Sequence, residues 1–282
     1  MTGTLYLCAT PIGNLEDMTF RAVRVLGEVD LIAAEDTRNS IKLLNHFHIH
    51  TPMTSYHEYN KYDKGRELVQ QLLAGKNIAL ITDAGTPGIS DPGEEIVRMA
   101  YKAGVPVTSL PGACAAVTAL TLSGLTTRRF CFEAFLPTEK KARRQVLKEL
   151  KLETRTIILY EAPHRLVRTL EELEAELGDR RLTILRELTK KHETVFQTTL
   201  SEAEKFYRTE EPKGECVLVL EGVDIKALEA QQQEKWNEIP LAEHFNRYLQ
   251  QGMTQKEAMK AVALDRGVSK RDIYAQLLIS EK

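Results

Sequence analysis

The 282-residue sequence has no paired cysteines: Cys8, Cys114, Cys131 and Cys216 stand singly, with no C-x-x-C and no Cys/His ligand spacing. This excludes a disulfide framework and a zinc site, and no other metal site is expected. The start, MTGTLYLCATP, lacks a charged segment leading into a long apolar stretch, so it does not read as a signal peptide. Long hydrophobic runs are missing as well. The longest uncharged stretch, Ala103–Thr127, contains Pro106 and Pro111, and only 13 of its 25 residues are apolar. It reads as a buried strand, turn and helix rather than a membrane span, and a reducing cytoplasm is the expected location. Neither charge is in excess, since 38 Lys and Arg stand against 40 Asp and Glu. With 43% apolar and 28% charged residues the chain is an ordinary globular one, which excludes disorder and collagen-like repeats.

The length predicts roughly two domains at about 150 residues each. Charge is distributed unevenly along them. Residues 1–127 carry 10 basic and 13 acidic side chains, residues 128–192 carry 16 and 11, and residues 193–224 carry 3 and 8. A basic block between acidic ones suits a polyanionic partner, although a solvated helix face would look the same.

Short β-branched runs alternate with helical patterns up to Ser123. Strands are expected at Thr4–Ala9, Asp30–Ala34, Asn77–Thr82 and Val105–Leu110, with helices near 19–28, 38–47, 61–74, 93–103 and 112–123. Continuous rather than alternating apolar strands predict a mostly parallel sheet covered on both faces. The pattern restarts with strands at Phe130–Phe135 and Thr156–Tyr160, a basic helix at Lys140–Leu150 and a helix at Arg165–Leu177. Strands at Leu182–Glu187, Thr194–Thr199 and Glu215–Glu221 are spaced for antiparallel pairing. The expected organisation is an α/β domain over 1–124, a second over 125–224, a cleft between them, and a small helical tail over 225–282. QQQEKWNE reads as a linker. Thr254–Leu264, Gly267 and Ser269–Leu278 read as helix, turn, helix, a pattern shared by plain packing units and nucleic-acid-binding pairs.

Three Gly/Pro loops follow predicted strands: Thr10–Asn14, Asp83–Gly93 and Pro111–Ala115. Glycine lets a backbone approach a ligand and proline stiffens the loop around it, so the trio points to a nucleotide-like ligand. No G-x-G-x-x-G, G-x-x-x-x-G-K-[ST] or G-x-S-x-G pattern is present, which argues against dinucleotide enzymes, P-loop NTPases and serine hydrolases.

TPIGN at 10–14, AEDTR at 34–38, SYHEYN at 55–60, TDAGTPGISDPG at 82–93, PGACA at 111–115 and LYEAPHR at 159–165 resemble the ribosomal-RNA-modifying branch of the tetrapyrrole methylase superfamily. The likeness runs from about Thr4 to Gly222, and the helical tail resembles that of the same branch. It implies two α/β domains with S-adenosylmethionine (SAM) in the cleft between them. It also implies methyl transfer to a ribose 2′-hydroxyl of a decoding-region cytidine in 16S rRNA, and a homodimer. The superfamily's loops fall here on Pro11, on Ala84, Gly85 and Thr86, on Pro111, Cys114 and Ala115, and on Tyr160 and Glu161 as cofactor-binding positions. The usual G-x-G-P-G first loop is P-I-G-N in this chain, which disfavours porphyrin binding.

Asp83 is a candidate to face the sulfonium, or else a turn residue. A ribose hydroxyl needs a base to take its proton. Candidates near strand ends are Glu35, Asp36, His57, Glu58 and Glu161, with a helix-capping alternative for Glu35-Asp36. Candidates for RNA are Lys140, Lys141, Arg143 and Arg144 of the basic helix, and Arg38, His164, Arg165 and Arg186 near motif loops. Arg180 and Arg181 read as surface charge.

Overall fold

The computed structural model describes residues 1–280. The chain divides into two units, Met1–Glu221 and Gly222–Lys282. The two α/β sheets and the helical tail expected from the sequence are present.

The first sheet consists of β1 (Leu5–Cys8), β2 (Leu31–Ala34), β3 (Met53–Ser55), β4 (Ile78–Ile81) and β5 (Val107–Leu110), all parallel, in the order β3-β2-β4-β1-β5. The three-residue β3 was not predicted, because MTS carries no apolar pattern; it pairs as an edge strand along β2. One face of the sheet is covered by α1 (Phe20–Glu28) and α2 (Thr37–His46), where Val25, Leu26 and Leu44 pack on Ile32, Ala79 and Ile81. The other face is covered by α3 (Lys61–Leu73) and α4 (Gly93–Lys102), where Leu68, Leu72 and Ile96 pack on Ile78 and Leu80. With both faces buried, β4 is apolar at every position, which is why its sequence reads as a continuous run.

α5 (Ala115–Leu122) follows the first sheet but packs on the second, placing Ala116, Ala119 and Leu120 against Ile158, Leu185, Val217 and Val219. The second sheet comprises β6 (Phe130–Phe135), β7 (Thr156–Glu161), β8 (Arg181–Arg186), β9 (Thr194–Thr199) and β10 (Cys216–Leu220), in the order β6-β7-β10-β8-β9. Only β6 and β7 run parallel. Its other face is covered by α6 (Lys140–Lys151), α7 (Leu166–Leu177) and α8 (Leu200–Thr209). α8 is a helix the sequence reading left unassigned. Ile157 and Leu159 face these helices while Ile158 and Tyr160 face α5, the period-two alternation of a strand between two layers.

In the tail, α9 (Ile225–Asn237) starts where helical character is expected and runs on through the segment QQQEKWNE expected as a linker, since a Gln/Glu/Lys-rich run is a good helix former and Asp224 caps it. It is followed by α10 (Leu241–Gln250), α11 (Gln255–Asp265) and α12 (Lys270–Ser280). The capping box of Thr254 and Glu257 forms as expected. His244 is fully buried, stacked on Trp236 at 4.0 Å, 3.1 Å from Asp265 and 3.2 Å from Arg266. No helix among the described residues is long and apolar enough to cross a membrane.

Candidate functional site

The strand order decides where the three Gly/Pro loops go. β4, β1 and β5 are neighbours, so the loops that leave their carboxyl ends lie side by side although they start at residues 82, 10 and 111. They are bonded together. Thr10 and Gly85 exchange backbone hydrogen bonds of 2.9 and 3.1 Å, and the Thr86 hydroxyl donates to the Ala113 carbonyl at 2.9 Å. Gly85 has φ +84, and a Cβ there would meet Ile12 Cγ2 at 3.3 Å and the Ala113 oxygen at 3.5 Å. The third loop is tied to the second sheet, where the Ala116 N–H donates to the Tyr160 hydroxyl at 3.0 Å.

Between these loops and the carboxyl end of β7 lies a cavity of about 390 Å³. That is within the range of small-molecule sites. Of the expected cofactor positions, Ala84, Gly85, Thr86, Cys114, Ala115, Tyr160 and Glu161 line it. Pro11 is buried within its loop and Ile12 forms the wall instead; Pro111 is exposed outside the wall. Asp83 also lies outside the lining. It points to α2, accepting from the Asp36 N–H at 3.2 Å and the Asn39 amide at 3.3 Å.

The wall carries the carboxylates of Glu35, Asp91, Glu161, Glu187 and Glu215. This acidic lining suits a small cation. Four of the five are already engaged, Glu187 and Glu215 with the Lys190 ammonium. Asp91 accepts from the backbone N–H groups of Gly88, Ile89 and Gly93 and so shapes the second loop. Glu161, 1% exposed, accepts from the Ala162 N–H, from Arg165 at 2.9 Å and from the Thr169 hydroxyl at 2.6 Å.

The base candidates separate by environment. Burial pushes the Glu35 carboxyl above the ordinary carboxylate range, with the nearby charges of Asp83 and Asp91 adding to the shift. The Arg38 guanidinium and N–H groups bonded to Asp36 hold its carboxyl down at about 2, and Asp36 caps α2. Glu58 is paired with Lys61, and His57 holds a buried Nδ1 that has no partner among the described residues; neither lines the cavity. Glu35 alone combines a place in the wall with a carboxyl poised to hold a proton.

The RNA candidates separate too. Lys140, Lys141 and Arg144 are exposed on α6, but Arg143 is not available there: it is 6% exposed and bonds Glu172 and, at 2.8 Å, the Thr169 hydroxyl. Helix periodicity turns every third or fourth residue inward, and a run of like charges conceals which one. Arg165 is likewise committed to Glu161 and lies over the Phe135 ring. Arg186 bonds Thr194 and lies over Tyr207; Arg38 and His164 are exposed. Arg180 is not loose surface charge, since it donates to the carbonyls of Lys151 at 2.6 Å and Leu177 at 3.3 Å.

The cavity also includes Ile89, Ser90, Phe135, Pro163, Leu188 and Lys190, which the sequence reading missed. Most carried a signal: Ile89 and Ser90 fall within TDAGTPGISDPG, Pro163 falls within LYEAPHR, and RELTKKH puts a charged turn directly after an apolar strand. Phe135 carried none.

Residues 4–204 match the family of Tetrapyrrole (Corrin/Porphyrin) Methylases. The chain is 52% identical over 272 residues to ribosomal RNA small subunit methyltransferase I of Halalkalibacterium halodurans, covering 96% of this chain and 93% of that one. It is 48% identical over 272 residues to the protein of the same name from Bacillus subtilis, with the same coverage. The fold also resembles uroporphyrin-III C-methyltransferase from Thermus thermophilus, solved with S-adenosyl homocysteine. That likeness has a TM-score of 0.56 and 20% identity, covering 78% of this chain and 97% of that one.

Proposed function

The chain belongs to the tetrapyrrole (corrin/porphyrin) methylase family, and from that premise we propose that it is a SAM-dependent methyltransferase of 16S rRNA, acting on the ribose 2′-hydroxyl of a decoding-region cytidine. The observation that carries the reading is the cavity itself, with three Gly/Pro loops from adjacent strands facing Tyr160 and Glu161 across an acidic wall. The residues present fit SAM. The volume suits a small molecule, Gly85 lies in the wall, and carboxylates offset a positive charge. No group of three His, Cys, Asp or Glu side chains among the described residues is placed to hold a metal.

When bound, SAM supplies a methyl group made electrophilic by its sulfonium. The chain's own contribution is positioning and electrostatics. Loops one to three would hold the donor, and the wall carboxylates would offset its charge. Glu35 would accept the proton that the ribose hydroxyl loses as its oxygen takes the methyl group and the donor's carbon–sulfur bond breaks. The reading extends to a homodimer in the cytoplasm, as the resemblance implies. The test is to incubate the protein with isotopically labelled SAM and small subunits from cells lacking it, then to digest the RNA for mass spectrometry. Label in 2′-O-methylcytidine is expected; label confined to a base, or none in RNA, refutes the reading.

The exposed cations of α6 should supply affinity for RNA that does not depend on sequence. Each phosphate neutralised steepens the salt dependence of binding by roughly 0.7–0.9 log units per tenfold change in salt. Reversing Lys140, Lys141 and Arg144 together should flatten that slope in a filter-binding titration. An unchanged slope would take α6 out of the RNA contact. Arg143→Glu should instead lower the melting temperature, because it leaves Glu172 facing a like charge in a half-buried site.

The tail is expected to assist substrate engagement and to take no part in methyl transfer. A chain ending at Asp224 should keep its SAM affinity in calorimetry yet methylate small subunits more slowly. Full activity would refute the role.

A further inference from the structure

Among the described residues that line the cavity there is one cation, Lys190, facing five carboxylates, and neither the donor loops nor the base uses it. It sits in the turn between β8 and β9, with its ammonium 3.0 Å from Glu187 and 3.9 Å from Glu215. The surrounding chain is shaped around this pair. A Cβ on Gly13 would fall 2.4 Å from Lys190 Cγ, and one on Gly214 would fall 2.1 Å from Glu187 Oε1. At Gly13 the Leu188 carbonyl at 2.9 Å closes the space further, and Gly214 takes φ +74, so glycine suits both positions. The Asn14 N–H donates to the Thr189 hydroxyl at 3.1 Å, fastening the first loop to the turn. Glu187 and Thr189 take φ of +51 and +64, a conformation that L residues adopt only where their surroundings impose it.

The Lys190 side chain nonetheless remains 34% exposed, and Lys191 and His192 beside it are exposed. The ammonium therefore stands at the rim, reachable from outside. An ammonium is a compact point charge suited to a phosphate oxygen. Elsewhere the wall is acidic and would repel a phosphate, so a strand delivering its ribose into the cavity has one place to set down the adjoining negative charge. We propose that Lys190 binds the phosphate flanking the methylated ribose at the mouth of the cavity, with Glu187 holding the ammonium in position. This rests on the RNA reading above.

Lys190→Met keeps an unbranched stem against Gly13 and removes only the charge. The KM for small subunits should rise about tenfold or more, the value of one charge-assisted bond, with SAM affinity and kcat within about two-fold of the parent. The dependence of log KM on log salt should flatten by about 0.7, one phosphate on a single strand. Lys190→Arg should restore most of the KM. Unchanged KM and slope would overturn the proposal. A SAM Kd that weakens in step with KM would overturn it too, by assigning the cation to the donor's carboxylate. A lowered melting temperature with equal losses in kcat and SAM affinity would mark Lys190 as a structural clasp only. Parent enzyme that methylates no small-subunit RNA would remove the reading on which the proposal rests, a failure visible without any variant.

Discussion

Gly85→Arg should raise the Kd for SAM by more than about a hundredfold, on the order of 3 kcal/mol, while leaving the protein folded. The residue lies in the wall of the cavity with φ +84, so a side chain there projects into the space between the second loop, Ile12 and Ala113. Holding a non-glycine residue at positive φ costs about 1–3 kcal/mol. That is smaller than the roughly 5–15 kcal/mol that keeps a domain folded, so lost binding and lost folding are separable. Calorimetry with SAM and thermal unfolding on the same sample check both. Unchanged SAM affinity would take the second loop out of the site.

Glu35→Gln should lower kcat about a hundred- to ten-thousandfold, the usual worth of a positioned base, with a smaller effect on SAM affinity. In the parent enzyme kcat should rise with pH through a value above the ordinary carboxylate range, because burial holds the Glu35 carboxyl up. The variant should lack that limb. The same shift has a consequence for stability. Between the ordinary and the raised pKa the folded state binds more protons than the unfolded state, so stability falls as pH rises through this window. Glu35→Gln should flatten that fall in chemical denaturation measured at several pH values. A kcat within two-fold of the parent would leave the hydroxyl proton to another group.

The two α/β layers were legible because their strands are buried on both faces and their helices are amphipathic, both local patterns. β3 was not, since an edge strand of only three half-buried residues has no period to read. The helical character from Ile225 was legible, but α9 runs on through the segment QQQEKWNE that reads as a linker, since Gln, Glu and Lys favour a helix. At the site, motif residues such as Gly85 and Tyr160 were legible as a group. Their division of labour was not. Glu35 and Asp36 adjoin in sequence, yet one lines the cavity and is driven toward protonation while the other caps α2 and is held ionised. Lys140 to Arg144 read as one basic run, and the helix turned Arg143 inward onto Glu172.

The sequence by itself determined most of the elements, the Gly/Pro turns at strand ends and the chemical groups available, because those depend on neighbours within a few residues. The tertiary structure alone decided which of them meet. Strand order β4-β1-β5 brings together three loops that lie up to about a hundred residues apart along the chain, and a turn from the second sheet closes Lys190 against Gly13. Burial and the like charges of Asp83 and Asp91 then set Glu35 apart from the other base candidates, a matter of distance in space that no spacing along the chain records.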